Sequence, residues 1–79
     1  MTSRDAYELV IYDPVEFKKN KDYYESFIAI TSLYSYSYAV YILKGRFELG
    51  EYSISKNELF FKQYIGYIEN KTSFYYKFI

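Results

Sequence analysis

The side chains of this chain that could do chemistry are its carboxylates, lysines, serines and tyrosines, because the sequence contains neither Cys nor His. The absence of Cys and His excludes disulfides, thiolate nucleophiles, imidazole bases and zinc sites built from these residues. The spacing of Ser, Lys and Glu assembles no catalytic set, and the isolated glycines Gly45, Gly50 and Gly66 form no phosphate-binding loop. We therefore expect a protein that is not an enzyme and uses neither a cofactor nor a metal ion.

Tyrosine is the residue type with the greatest binding potential in this sequence, which has Tyr 13 and Phe 7 in 79 residues. A chain of this length buries only roughly 60% of the surface that its unfolded form exposes. Some tyrosines must therefore lie on the surface, where their rings favour contacts with other macromolecules. Lys, Asn and Ile are also abundant, a bias typical of AT-rich genomes, which offers a second explanation for the tyrosine excess.

The charge balance narrows the choice of partner, because Lys+Arg 10 and Asp+Glu 10 give a net charge of zero. Proteins that bind a phosphate backbone normally carry a basic excess, so a protein partner, including a second copy of the chain, is favoured over nucleic acid. No apolar run approaches the about 18 residues of a membrane span, and MTSRDAYELV lacks the apolar segment of a signal peptide. These features predict one soluble, cytoplasmic domain over residues 1–79.

The hydrophobic pattern predicts secondary structure in the order β α β β α β. Strands are predicted where apolar and aromatic residues alternate, at residues 6–12, 34–43, 46–54 and 72–79. A first helix is predicted from Pro14 to near Ser32, with Asp13 as its N-cap. A second helix follows the capping-box spacing of residues 55–58 and ends near Asn70, and Lys44-Gly45 is predicted as the turn of a hairpin.

This order predicts a ferredoxin-like sandwich, an α+β fold in which a four-stranded antiparallel sheet carries two helices on one face. A second interpretation is one long helix over residues 14–43 beside a small sheet. It arises because a helical period fits five positions around the second predicted strand: Phe27, Ile30, Tyr34, Tyr38 and Tyr41.

In the predicted sheet, the more apolar side of each strand faces the helices. That core-facing set is Tyr7, Leu9, Ile11, Tyr38, Val40, Ile42, Phe47, Leu49, Phe74, Tyr76 and Phe78. The opposite face presents aromatic and charged side chains, which supply the candidate partner-binding residues Tyr12, Tyr41, Arg46, Tyr52, Tyr75 and Lys77. Tyrosine and arginine are the residues that most often dominate binding at protein interfaces.

Two other roles compete for parts of this pattern. In the position of Asp13 after a first strand, the chain resembles the small ferredoxin-like nucleases of CRISPR adaptation, which carry a metal-binding aspartate there. The resemblance covers one strand and one residue, and the helix cap is the simpler role for Asp13. Phe47, Gly50 and Tyr52 supply part of the signature of sheet-based RNA-binding modules, without its basic residues.

The sequence therefore predicts a small interaction protein that binds a macromolecular partner, most simply a protein, through a tyrosine-rich surface. Compact domains of this kind are typical of inhibitors that phages and mobile elements encode against host defence, including anti-CRISPR proteins. The alternative function is single-stranded nucleic-acid binding, in which exposed tyrosines stack on bases and Lys44, Arg46 and Lys77 contact phosphates.

Overall fold

Residues 1–76, the part of the chain that this computed structural model describes, form helices joined by short connections, and no β-strand occurs there. The α-helices are α1 (Ser3–Tyr12), α2 (Pro14–Lys19), α3 (Lys21–Ile28), α4 (Ser32–Ser37), α5 (Glu51–Ser55) and α6 (Glu58–Tyr76). Helix α4 continues directly into a π-helix, Tyr38–Leu43, and a 3-10 turn, Glu48–Gly50, leads into α5.

The predicted ferredoxin-like sandwich, and with it the α+β class, is therefore wrong. Residues 6–12 lie in α1, residues 34–43 in α4 and the π-helix, residues 48–54 in the 3-10 turn and α5, and residues 72–76 in α6, while residues 46–47 lie in the connection before the 3-10 turn. Residues 77–79 of the last predicted strand lie outside the described residues. The alternation of aromatic and small residues was compatible with a strand, but tertiary packing overrides β-propensity when both sides of the segment find partners.

Two N-caps that the sequence analysis missed start the helices that replace strands. Thr2 and Asp5 form a capping box at the start of α1, each side chain accepting the other residue's backbone N–H. Thr31 caps α4 by accepting the backbone N–H of Tyr34. The Thr-x-x-Asp spacing of residues 2–5 was the available sequence signal for α1.

The predicted first helix begins as expected but is divided. Asp13 caps α2 and accepts the backbone N–H of Glu16, with Pro14 at the first helical position. The helix breaks at Asn20, which ends α2 and precedes α3, and α3 ends at Ile28. These two breaks also rule out the single long helix over residues 14–43.

The predicted second helix is confirmed as helical and is longer than expected. Its cap is Asn57, whose side chain accepts the backbone N–H of Phe60, and it continues to Tyr76. The predicted Lys44-Gly45 hairpin turn instead ends the π-helix. Lys44 takes a left-handed conformation with φ 53°, and the Gly45 N–H donates to the carbonyl of Ala39.

The core is a row of aromatic rings contributed by α2, α3, the π-helix and the segment before α5. Ring centroids are 5.8 Å apart for Tyr24 and Phe17, 6.0 Å for Phe17 and Tyr38, and 4.9 Å for Tyr38 and Phe47. The other buried apolar residues are Ala6, Ile28, Ala39, Ile54 and Tyr64.

The predicted core-facing set is therefore only partly buried. Tyr38 and Phe47 are buried, but Val40 and Ile42 are partly exposed, so the three alternate positions from Tyr38 do not share one environment. Of the rest, Tyr7 and Leu9 are partly buried, while Ile11 and Leu49 are 51% and 58% exposed. The side chains of Phe74, Tyr76 and Phe78 lie outside the described part.

The alternating tyrosines of α4 hold three different neighbours, because a helix turns successive alternate positions in different directions. Tyr34 packs against Tyr7 of α1, with ring centroids 5.4 Å apart. Tyr36 stacks on Phe60 of α6 at 5.2 Å. Tyr38, just beyond the end of α4, enters the core. Helix α4 is thereby fixed to the rest of the molecule on three sides.

Candidate protein-binding surface

The predicted binding residues whose side chains the structure describes are exposed but lie on separate elements. Tyr12 at the end of α1, Tyr41 in the π-helix and Tyr52 in α5 are 80%, 65% and 73% exposed. Arg46 lies in the connection between the π-helix and the 3-10 turn, with 60% of its side chain exposed. Among the described residues, no hydrogen bond or ring contact joins any two of these four side chains.

Two of these residues already have local partners. Arg46 forms two hydrogen bonds to the Glu51 carboxylate, at 2.7 and 3.1 Å. The Tyr52 ring lies under the Lys56 ammonium, 4.5 Å from the ring centroid. Tyr75 belongs to the end of α6, where side chains are not described, and Lys77 lies beyond the described residues.

Tyr41 does have tyrosine neighbours, and they come from helices rather than from a sheet. Tyr7 of α1 packs against Tyr34 of α4 with the rings tilted at 43°. Burial raises the pKa of Tyr7, and the neighbouring Tyr41 and Tyr34 raise it further. Tyr7 and Tyr34 are thus in ring contact at the junction of α1 and α4, and Tyr41, in the π-helix that continues α4, is near enough to act on the Tyr7 phenol.

Helix α1 extends this cluster with one charged and one apolar side chain. Arg4, Tyr7 and Ile11 recur at i, i+3 and i+7, which places them on one face of α1. The Arg4 side chain is 70% exposed and donates to Glu8 at 2.9 Å, and this hydrogen bond raises the pKa of the guanidinium. Ile11 is 51% exposed. We call the set Arg4, Tyr7, Ile11, Tyr34 and Tyr41 the tyrosine surface.

Of this set, only Tyr41 was among the binding residues predicted from the sequence. The missing signal was helical spacing, since Arg4, Tyr7 and Ile11 form one row and Tyr34 and Tyr41 are seven residues apart. Once these segments are treated as helices, both rows can be found from the sequence. A π-helix presents Tyr41, and short π-helical segments often occur at functional positions.

The buried tyrosines have a different role, because their hydroxyls are each satisfied by a glutamate. Tyr38 donates to Glu25 at 2.6 Å and Tyr24 donates to Glu16 at 3.0 Å. Burial and the hydrogen bond to Glu25 raise the pKa of Tyr38. Such pairs allow a tyrosine ring to be buried while its hydroxyl keeps a hydrogen-bond partner, and they stabilise the fold.

A third pair is part of a longer network. Tyr64 donates to Glu51 at 2.6 Å and accepts the backbone N–H of Phe47 at 3.0 Å. Burial, followed by the bond to Glu51, raises the pKa of Tyr64 to about 12. The bonds from Arg46 lower the pKa of Glu51. Arg46 thus supports the position of α5 against α6.

The serine hydroxyls that reach between helices are also structural. Ser3 and Ser35 both donate to the carbonyl of Ile28, at 2.9 and 3.1 Å, and Ser53 donates to the carbonyl of Ala29. These carbonyls end α3 and have no partner within that helix, so side chains from α1, α4 and α5 supply one. None of the three hydroxyls is placed as a nucleophile beside a base.

One groove combines basic and aromatic side chains. It lies where α2 meets α3 and is lined by Lys18, Lys19, Asn20, Lys21, Asp22 and Tyr23. Tyr23 is 57% exposed, and its ring is fixed edge-on against Tyr24 and Phe27 at 5.3 and 5.1 Å. Three cations and an exposed ring are suited to a flexible anionic chain.

The described residues contain no group of three or more carboxylates that could hold a metal ion. Asp13 has the capping role, and its side chain accepts the N–H of Glu16. Within the same part of the chain, no helix has both the length and the apolar character needed to cross a bilayer. No protein-family model, curated protein or solved structure matches this chain.

Proposed function

We propose that this protein acts by binding a protein partner through the tyrosine surface and has no catalytic activity of its own. The observation that supports this function is the ring contact between Tyr7 of α1 and Tyr34 of α4, on two packed segments that also carry the exposed side chains of Arg4 and Tyr41. Tyrosine and arginine are enriched among the side chains that carry most of the binding energy at protein interfaces.

The arrangement also lowers the entropic penalty of binding. Tyr7 and Tyr34 are partly buried and hold each other, so they lose little rotamer freedom when a partner covers them. Tyr41 and Ile11 remain more than half exposed and would lose the most accessible surface. Arg4 donates its Nε–H to Glu8, and the other N–H groups of the guanidinium can donate to a carboxylate of the partner.

The biological role that fits such a surface is inhibition by masking. A protein of 79 residues with one adhesive face can cover a functional surface of a larger enzyme without doing chemistry. The composition typical of an AT-rich genome and the small size support a phage or mobile-element inhibitor of host defence, such as an anti-CRISPR protein, that acts in the host cytoplasm. This assignment rests on class and composition.

The test begins with capture of the partner from a lysate of the native host and its identification by mass spectrometry. Affinity is then measured for Tyr41→Ala and Arg4→Ala. If a partner covers these side chains, each substitution should weaken binding by more than about 1 kcal/mol, which is roughly fivefold in Kd. Both side chains are exposed, so the fold should survive, which circular dichroism checks.

Tyr12→Ala and Tyr52→Ala are the matched controls, because they remove exposed tyrosines that lie outside the tyrosine surface. The proposal requires that they leave Kd unchanged. Loss of affinity in these controls, with none for Tyr41→Ala and Arg4→Ala, would move the binding site away from the junction of α1 and α4.

The groove at the junction of α2 and α3 favours a second function, single-stranded nucleic-acid binding. Lys18, Lys19 and Lys21 would contact phosphates while Tyr23 stacks on a base. A fluorescent oligonucleotide should bind at low salt and dissociate steeply as salt rises. Tyr23→Ala and Lys21→Gln should weaken binding and Lys62→Gln should not. Absence of binding at low ionic strength removes this function.

A further inference from the structure

Gly66 occupies a position in α6 where the chain's own packing does not require glycine. It lies in the interior of this helix, Glu58–Tyr76, and a Cβ built on it would meet no atom within 4 Å. Alanine stabilises a helix interior relative to glycine because it restricts the unfolded backbone. The missing side chain at Gly66 leaves room for the backbone of another chain to approach closely.

The face that carries Gly66 points away from the body of the protein. Phe60 and Tyr64 lie on the opposite side of α6, where Phe60 stacks on Tyr36 and Tyr64 is 1% exposed. At helical spacing, Leu59, Lys62 and Glu69 are among the residues that share the Gly66 face. All three are exposed, with 62% for Leu59 and 73% for the Lys62 side chain.

The charges on this face are arranged symmetrically about Gly66. Lys62 precedes Gly66 by four residues and Glu69 follows it by three, which at 1.5 Å per residue is about 6 Å and about 4.5 Å along the axis. Both lie on the same edge of the face, because i and i+7 nearly coincide in a helix. Two antiparallel copies of α6 that cross at Gly66 therefore place Lys62 of each copy beside Glu69 of the other.

We propose that the outer face of α6 is a self-association surface, on which a second copy of this chain packs antiparallel with Gly66 at the crossing. A two-fold axis forms the Lys62–Glu69 pair twice, as a closed, self-complementary interface requires. Lys62 also lies 3.3 Å from Glu58 within its own helix, so each ammonium would lie between two carboxylates. Leu59 and Ile65, 62% and 37% exposed, supply apolar surface beside the crossing.

This interface is separate from the tyrosine surface. Helix α6 packs against α5 and α4, whereas the tyrosine surface is formed by α1 and the outer side of α4 and the π-helix. A dimer formed through α6 would carry two tyrosine surfaces. Self-association through α6 does not depend on the function proposed for the tyrosine surface.

Sedimentation equilibrium over a wide concentration range tests the proposal with the wild-type chain and four variants. Gly66→Leu fills the crossing point and should weaken dimerisation at least tenfold. Lys62→Glu replaces the two Lys62–Glu69 attractions of the dimer by two repulsions. Because a surface charge pair contributes about 0.5 kcal/mol, this variant should weaken dimerisation about tenfold. The exchange Lys62→Glu with Glu69→Lys should restore the wild-type Kd to within about threefold.

Lys18→Glu is the control, because it makes the same charge change at the junction of α2 and α3, and it should leave dimerisation unchanged. Circular dichroism confirms that each variant is folded. A wild-type chain that remains monomeric up to about 1 mM overturns the proposal. So does a dimer that Gly66→Leu leaves intact, or one that the charge exchange fails to rescue after Lys62→Glu has weakened it.

Discussion

The Tyr64 hydroxyl lies 2.6 Å from the Glu51 carboxylate, and this contact joins α6 to α5. The same hydroxyl accepts the Phe47 N–H at 3.0 Å, so it also holds the segment that leads into α5. Arg46 completes the network from the solvent side with two bonds to Glu51. One phenol therefore links α6 both to α5 and to the backbone of Phe47.

Replacing Tyr64 by Phe should destabilise the protein by about 1–3 kcal/mol, because the buried Phe47 N–H loses its acceptor and Glu51 loses a donor. Urea denaturation followed by circular dichroism measures the change. Tyr52→Phe removes the hydroxyl of a residue that is 73% exposed and should change stability by less than about 0.5 kcal/mol. Equal effects in the two variants would contradict the role of the Tyr64 network.

Stability should fall in alkaline solution partly through Tyr64. Its pKa is raised from 10.0 to about 12 in the folded protein, so the folded state keeps a proton that the unfolded state loses. The contribution is complete below pH 10 and is lost as the pH rises towards about 12. Denaturation midpoints from neutral pH to about pH 11 should decline less steeply in Tyr64→Phe than in the wild-type chain. An equal decline in the two proteins would contradict this contribution of Tyr64.

At acidic pH the same network should weaken through Glu51. The hydrogen bonds from Arg46 lower its pKa below the ordinary value of 4.5, so the unfolded state takes up a proton first as the pH falls. The stabilisation is present above pH 4.5 and is lost below it. Arg46→Gln should reduce the loss of stability between neutral pH and about pH 3, whereas Lys44→Gln should not.

The Ile28 carbonyl should show strong coupling between two serines. Ser3→Ala or Ser35→Ala alone leaves it one donor and should be destabilising by about 1 kcal/mol. The double variant leaves the buried Ile28 carbonyl without either serine donor, so its effect on stability should exceed the sum of the two single effects by about 1 kcal/mol or more. Strict additivity in a double-mutant cycle would show that the two hydroxyls do not share this acceptor.

Two glycines should respond to alanine in opposite directions. At Gly50 a Cβ would lie 2.6 Å from a ring carbon of Phe47 and 2.7 Å from the Cβ of Ser35, so Gly50→Ala should be destabilising by about 1–3 kcal/mol. Gly66→Ala meets no neighbour and should stabilise the monomer by up to about 1 kcal/mol. Thermal unfolding at low protein concentration compares the two, and a change of the same sign in both would be inconsistent with these environments.

The sequence was informative where a helix has its own start signal. Asp13-Pro14 and the polar residues before α6 predicted two helix starts correctly to within a few residues. The strand predictions are wrong because alternating aromatic residues also fit a helix in which each tyrosine packs against a different partner, as Tyr34 and Tyr36 of α4 do. No local pattern shows that Tyr34 will meet Tyr7 or that Tyr36 will meet Phe60, since those contacts form only when distant helices pack.

The candidate surface was also predictable only in part. The composition predicted that some tyrosines lie on the surface, and this is confirmed. Tyr41 is exposed in the helical fold, as it was in the predicted sheet. Its neighbours could not be found from a period of two, because that period assigns Tyr41 to the side opposite Tyr34. A period of 3.6 brings the two onto one face, and the choice between the periods was decided by packing.

The bond from the Phe47 N–H to the Tyr64 hydroxyl has a consequence for hydrogen exchange. Phe47 lies in the connection between the π-helix and the 3-10 turn, where amides ordinarily exchange through small local openings. Opening of this amide breaks its bond to the Tyr64 hydroxyl, which also joins α6 to α5, and moves the Phe47 residue whose ring packs against Tyr38. The Phe47 amide should therefore exchange about as slowly as the most protected helical amides, while its neighbours Arg46 and Glu48 exchange rapidly.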